Sequence, residues 1–172
     1  MKGQLLLILS RNLNVSENCA FLILTANFRR FLFLENENPD VFIGTEAWLN
    51  SRIPTSEFFA PNYSVLRKDR RDGYGGVLVA VKDLSCQELG DLSTDSELTW
   101  VKISLVNKKH VYIGAFYNPN SSLEALNGID ASLSKQQKKS GTLIFLVSDF
   151  NLGGDICWRN YTIAADNQNS TV

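Results

Sequence analysis

Short, almost uniformly apolar runs punctuate this chain, each closed by glycine, proline or a polar cluster. Leu143-Ile144-Phe145-Leu146-Val147, bounded by Gly141 and by Gly153-Gly154, reads as a strand buried on both faces. It ends on Ser148-Asp149-Phe150-Asn151. If the extended conformation continues, Asp149 and Asn151 project to the same side; the plain alternative is that they open the turn announced by the glycines. Val41-Phe42-Ile43-Gly44-Thr45 repeats the theme, an apolar strand followed by an acid, Glu46. Two further runs, Leu5 to Leu9 and Phe21 to Leu24, open the chain as strands, the first of them an extra strand or an appendage. Phe28 to Leu34 has room for about two helical turns before Pro39 forbids continuation.

Residues 50 to 62, with Pro54 and Pro61, form a loop, and Tyr63 to Arg67 and Gly76 to Val81 follow as strands. Trp100 to Leu105 alternates as a half-buried antiparallel strand does and turns at Asn107-Lys108-Lys109 into Val111 to Tyr117. Leu126, Ile129 and Leu133 recur at three and four, which predicts an amphipathic helix from Leu123 to about Lys138. Hairpin-like spacing with few helices favours an α/β (α+β) sandwich of mostly antiparallel strands over a doubly wound parallel sheet.

Composition narrows this picture. The 172 residues suffice for one domain, and 44% hydrophobic with 20% charged residues excludes a disordered chain. A net charge of -1 offers no bulk attraction to nucleic acid, so any such binding rests on a local patch. Cys19, Cys86 and Cys157 are odd in number and far apart, and read as reduced thiols. No segment reaches the roughly 20 apolar residues that span a membrane. Lys2 with Leu5 to Leu9 has a faint leader-like look, but Arg11 interrupts it.

Chemistry gathers at three strand ends: Glu46, the segment Tyr117-Asn118-Pro119-Asn120, and Asp149 with Asn151. A hard cation such as Mg²⁺ takes one or two carboxylates and keeps most of its water, leaving room for a phosphate oxygen. A second carboxylate is suited to orienting a water, and amides and a phenol to holding phosphate. Arg67-Lys68-Asp69-Arg70-Arg71-Asp72, next to Gly73, Gly75 and Gly76, has the composition of a phosphate grip; the alternative is a solvated hairpin turn.

In this order, Asn38-Pro39-Asp40-Val41-Phe42-Ile43-Gly44-Thr45-Glu46-Ala47-Trp48-Leu49, Tyr63 to Arg70 with Gly75-Gly76-Val77, Tyr112 to Pro119 and Ser148-Asp149-Phe150-Asn151 resemble the endonuclease/exonuclease/phosphatase family. The resemblance is nearest to the apurinic-type endonuclease domain of non-LTR (LINE-type) retrotransposons and runs from about residue 21 to 158. It leaves residues 1 to 20 as an appendage or extra strand and 159 to 172 as a polar tail. It implies two packed, mostly antiparallel sheets flanked by helices, a DNase I-like sandwich, and phosphodiester hydrolysis of DNA with Mg²⁺ or Mn²⁺. No small-molecule cofactor and no membrane are implied, and an acting nuclease of this kind is intracellular and nuclear.

Position by position, the resemblance makes Glu46 the metal-binding glutamate and Asn27 the first asparagine of the site, with Asn14 a rival. Tyr117 and Asn120 match a Y-x-P-N element that contacts phosphate. Asp149 matches the water-activating aspartate and Asn151 its phosphate-holding neighbour, while Arg67, Lys68, Arg70 and Arg71 face nucleic acid. Two departures stand out. Ser148 replaces a glycine, and the sequence stops at Val172, ahead of the family's further strands with their Asp-x-Asn-like and Ser-Asp-His elements. His110 precedes a strand and is read as a turn or surface residue. A domain incomplete at the C-terminus is therefore expected, its activity impaired by roughly 10²- to 10⁴-fold for a lost acid-base group. The competing expectation is an inactive remnant, at most a weak nucleic-acid-binding module; hydrolysis of a phosphoinositide is the third.

Overall fold

The computed structural model describes residues 4–9, 20–25, 38–92, 94–105, 109–137, 143–151, 156–157 and 162–163. Its strands are β1 (Gln4–Leu9), β2 (Ala20–Thr25), β3 (Val41–Thr45), β4 (Tyr63–Lys68), β5 (Val77–Lys82) and β6 (Cys86–Glu88), continuing with β7 (Glu97–Ser104), β8 (His110–Tyr117) and β9 (Leu143–Asp149). Helix α1 (Leu123–Gln137) joins β8 to β9, and β10 (Ile156–Cys157) pairs with β11 (Thr162–Ile163). The first sheet has the order β1-β2-β3-β5-β4 and the second β6-β7-β8-β9. Within these two sheets only β2–β3 and β8–β9 run parallel. The mostly antiparallel α+β sandwich is thus the observed architecture.

Alternation along the strands builds three apolar layers. Between the sheets, Val41, Ile43, Val79 and Val81 of the first meet Val101, Ile103, Ile113 and Ala115 of the second, all at most 3% exposed. Fully burying such a side chain contributes about 1.5–3 kcal/mol, so this layer holds the sheets face to face. The other face of the first sheet lies under Leu49 and Phe59 from the 47–63 segment, packed on Phe42 and Leu78. The other face of the second carries α1, with Ile129 over Leu98, Trp100 and Phe116. At Gly114 a Cβ would lie 2.8 Å from the Trp100 ring, so the indole occupies the space a side chain would need.

Several expectations change. Residues 143–149 form the edge of the second sheet: every residue of β9 is at least partly exposed, and Leu143 is 39% exposed. The strand buried on both faces is its neighbour β8, because β8 lies between β7 and β9 while β9 has, among the described residues, a neighbour on one side. β7 is more deeply buried than simple alternation suggests, since α1 covers Leu98 and Trp100 on its second face while Val101 packs between the sheets. His110 is the first residue of β8 and half-buried, rather than in a turn. Residues 4–9 pair along their whole length with β2 and, among the described residues, with no other strand. The helix expected over 28–34, Asn14 and Asn27 lie outside the described residues, as does most of 159–172. Cys86 is a free thiol. No described helix is long and apolar enough to cross a membrane.

Candidate active site

Register brings the polar strand ends together. Glu97 of β7 lies opposite Tyr117 of β8, and Tyr117 lies opposite Asp149 of β9. Residues in register share a face, so Glu97, Tyr117 and Asp149 form one row at the margin of the inter-sheet layer, to which Tyr117 contributes its ring. The first sheet supplies the fourth group. β3 ends in the same region, and the Tyr117 hydroxyl donates to Glu46 Oε1 at 2.6 Å.

Glu46 reaches that hydroxyl through an unusual backbone. Its φ is +52° and that of Trp48 is +53°, left-handed conformations that cost a side-chain-bearing residue about 1–3 kcal/mol. The segment is held by Ala47 N–H donating to Gly76 O (3.1 Å) and Trp48 N–H to Gly75 O (2.7 Å). Beside it, the exposed Tyr74 ring packs edge-on against Trp48, centroids 5.5 Å apart.

Asp149 and Asn151 do not continue an extended strand. Asn151 has a φ of +50° and its N–H returns to Asp149 Oδ1 at 3.2 Å, so the turn reading holds. Asn151 Nδ2 instead donates to Asn118 O (3.1 Å), and Ser121 Oγ donates to Asn151 O (2.6 Å). The organiser here is Asn118, fully buried. Its N–H binds Asp149 O, and its Oδ1 takes the N–H of Ser122, whose own hydroxyl caps α1 at Ala125 N–H. One residue thereby locks the ends of β8 and β9 to the start of α1. Asn120 is exposed in the preceding turn, outside this lattice.

The basic cluster is largely internally engaged. Arg67 binds Asp69 (2.9 Å) and Asn50 O (2.8 Å), Lys68 donates to Thr94 O, and Arg70 meets Asp72 (3.1 Å) and Glu97 (3.4 Å). Arg71 is the exposed member of the four. Burial lowers the Lys68 pKa, opposed by Asp95, Glu97 and Glu88.

Glu97 was not among the residues singled out from sequence, although it is the acid that the alternation of β7 places on the inner face with Thr99, Val101 and Ile103. Burial raises its pKa, against the Gly76 N–H and Arg70, which favour its charge. Tyr117 is pushed far above the ordinary phenol value by burial, then by the bond to Glu46 and the charges of Glu46, Asp149 and Glu97. It therefore stays protonated, a fixed donor.

Three carboxylates surround one phenol, and Arg70 pairs directly with only one of them, Glu97. Glu46 Oε2 has no donor among the described residues. No cluster of three or more His, Cys, Asp or Glu side chains able to hold an ion exists among those residues. Among the described residues the donors at these strand ends are carboxylates, the ligand type of which a hydrated Mg²⁺ takes one or two.

Two packed, mostly antiparallel sheets with a helix on the outer face of one give this chain a fold that it shares with solved endonuclease structures. The chain is similar to the endonuclease domain of TRAS1, a telomere-specific non-LTR retrotransposon (TM-score 0.52, 17% identity, 74% of this chain and 57% of that one). It is similar also to the human Nocturnin catalytic domain (TM-score 0.52, 10% identity, 69% and 53%) and to an AP endonuclease from Archaeoglobus fulgidus (TM-score 0.50, 17% identity, 80% and 61%). The chain thus spans little more than half the length of these structures. No protein-family model matches it, and no curated protein does.

Proposed function

We propose that this chain is a divalent-metal-dependent phosphodiester hydrolase acting on DNA. The observation that supports this most is the meeting of Glu46 from one sheet with the Glu97-Tyr117-Asp149 row of the other. Glu46, oriented by the Tyr117 hydroxyl, presents its free oxygen to Mg²⁺ or Mn²⁺; Asn27 is the further ligand carried by the sequence resemblance. When bound, the cation supplies charge neutralisation at a phosphate oxygen. Asp149 orients the attacking water and accepts its proton as the P–O bond to the leaving oxygen breaks, that oxygen taking its proton from solvent. Asn151 secures the turn that aims Asp149, and Tyr117 remains a neutral donor that does not compete for the cation.

DNA approaches from the side of Arg71, Tyr74 and Trp48. On the α1 side, a groove of about 310 Å³ is lined by Asp95 and Glu124 and repels phosphate. With Arg67, Lys68 and Arg70 held internally, backbone contact falls mainly to Arg71, and the salt dependence of binding is shallow.

Supercoiled-plasmid nicking with Mg²⁺ and with EDTA, beside Glu46→Ala and Asp149→Ala, tests the reading. Metal-dependent nicking that falls roughly 10²- to 10⁴-fold in the Asp149 variant is expected. A folded chain that binds DNA without nicking it would instead be the nucleic-acid-binding remnant.

A further inference from the structure

We propose that Glu97 is a positioning residue that holds Glu46 in place through the glycine loop, an inference resting on the reading of Glu46 as the cation's carboxylate. The connection is continuous. Glu97 Oε2 accepts the Gly76 N–H, and Oε1 takes Arg70 Nη1 at 3.4 Å. Gly76 and Gly75 have φ of +83° and +117°, and a Cβ on Gly75 would come 2.8 Å from Glu97 Oε2 and 3.3 Å from the Tyr117 ring. Carboxylate and loop are therefore fitted to each other without spare volume.

The same two glycines then act on Glu46. Their carbonyls accept the N–H groups of Ala47 and Trp48, the residues that immediately follow it. Those bonds support the left-handed backbone at Glu46, and that backbone brings its carboxylate to 2.6 Å from the Tyr117 hydroxyl. If the loop is released, the strained turn relaxes toward ordinary φ and the carboxylate leaves Tyr117. Because Glu97 also stands opposite Tyr117 in register, one side chain couples the loop of the first sheet to the row of the second. Outer residues that orient a metal ligand typically change metal affinity by about 10- to 100-fold.

Reach, rather than charge, is what this role requires, and two substitutions separate them. Glu97→Gln keeps the length and an acceptor for Gly76 N–H but loses the charge; Glu97→Asp keeps the charge but is one methylene short. Mn²⁺ binding to the intact chain, followed by its paramagnetic resonance signal without DNA, is read beside hydrogen exchange at the Ala47 and Trp48 amides. Expected are a loss of about tenfold in Mn²⁺ affinity and faster exchange at both amides for Glu97→Asp, with Glu97→Gln near wild type. Glu97→Ala, lacking reach and charge, repeats the shortened variant if that one folds poorly. Equal Mn²⁺ binding by the Gln and Asp variants, strong or weak, overturns the proposal, and so does the reverse order, which would make Glu97 act through charge. Mn²⁺ binding unaffected by Glu46→Gln, with the exchange pattern as expected, sinks the metal reading of Glu46 while keeping the mechanical link.

Discussion

β8 and β9 are neighbouring strands with nearly the same apolar pattern, and each carries a residue of the candidate site at its C-terminal end, yet they sit very differently. β8 is buried from Val111 to Tyr117, enclosed by β7, β9, the facing sheet and α1. β9 is, among the described residues, paired on one side only, and all its residues are partly exposed. The site is therefore asymmetric. Tyr117 ends an element that cannot shift without disrupting the core, whereas Asp149 depends on Asn118, Asn151 and Ser121 to hold the turn that aims it. An edge strand loses the backbone pairing that would otherwise set its end.

Catalysis offers the largest test of this contrast. Asp149→Ala is expected to lower nicking by roughly 10²- to 10⁴-fold, and Tyr117→Phe by roughly 10- to 100-fold, through loss of a hydrogen bond to a charged acceptor. Plasmid-nicking rates at saturating Mg²⁺ decide it; a larger loss at Tyr117 than at Asp149 would reverse the assigned roles.

Stability is the next contrast. Ile113→Ala in β8, where the side chain is fully buried, should cost about 2–5 kcal/mol. Leu143→Ala, at the exposed start of β9, should stay within about 0.5 kcal/mol. Urea unfolding measures both, and equal costs would show that the β9 edge is covered in solution. Gly114→Ala forces a methyl against Trp100 and Leu146 and should cost about 1–3 kcal/mol. A neutral result there would mean that the β8–α1 layer has slack.

The smallest effect is on pH dependence. Burial raises the Glu97 pKa above its ordinary value of 4.5, so just above that value the folded chain binds more protons than the unfolded one. The stability from this group is complete below 4.5 and is lost as pH rises through the raised value. Glu97→Gln should flatten that decline in denaturation midpoints recorded across the window, and parallel profiles would contradict burial as the cause.

Local pattern alone determined the strands near 41–45, 63–67, 76–81, 111–117 and 143–149, the helix from Leu123 and the mostly antiparallel α+β class, because period-2 and period-3.6 burial are written in consecutive residues. The order of matching blocks also singled out Glu46, Tyr117 and Asp149, three groups that stand at neighbouring strand ends in the structure. What local pattern could not decide was position within a sheet. An apolar run reads the same at an edge as in the middle, since pairing partners come from distant residues, and so the burial expected for 143–149 belongs to 111–117. Nor could it show that Arg67, Lys68 and Arg70 are engaged by Asn50, Asp69, Thr94, Asp72 and Glu97, that Asn151 turns back on Asp149, or that Glu97 enters the row at all. Those facts depend on registers between strands and on left-handed turns at Glu46 and Asn151, which only the packing of the two sheets selects.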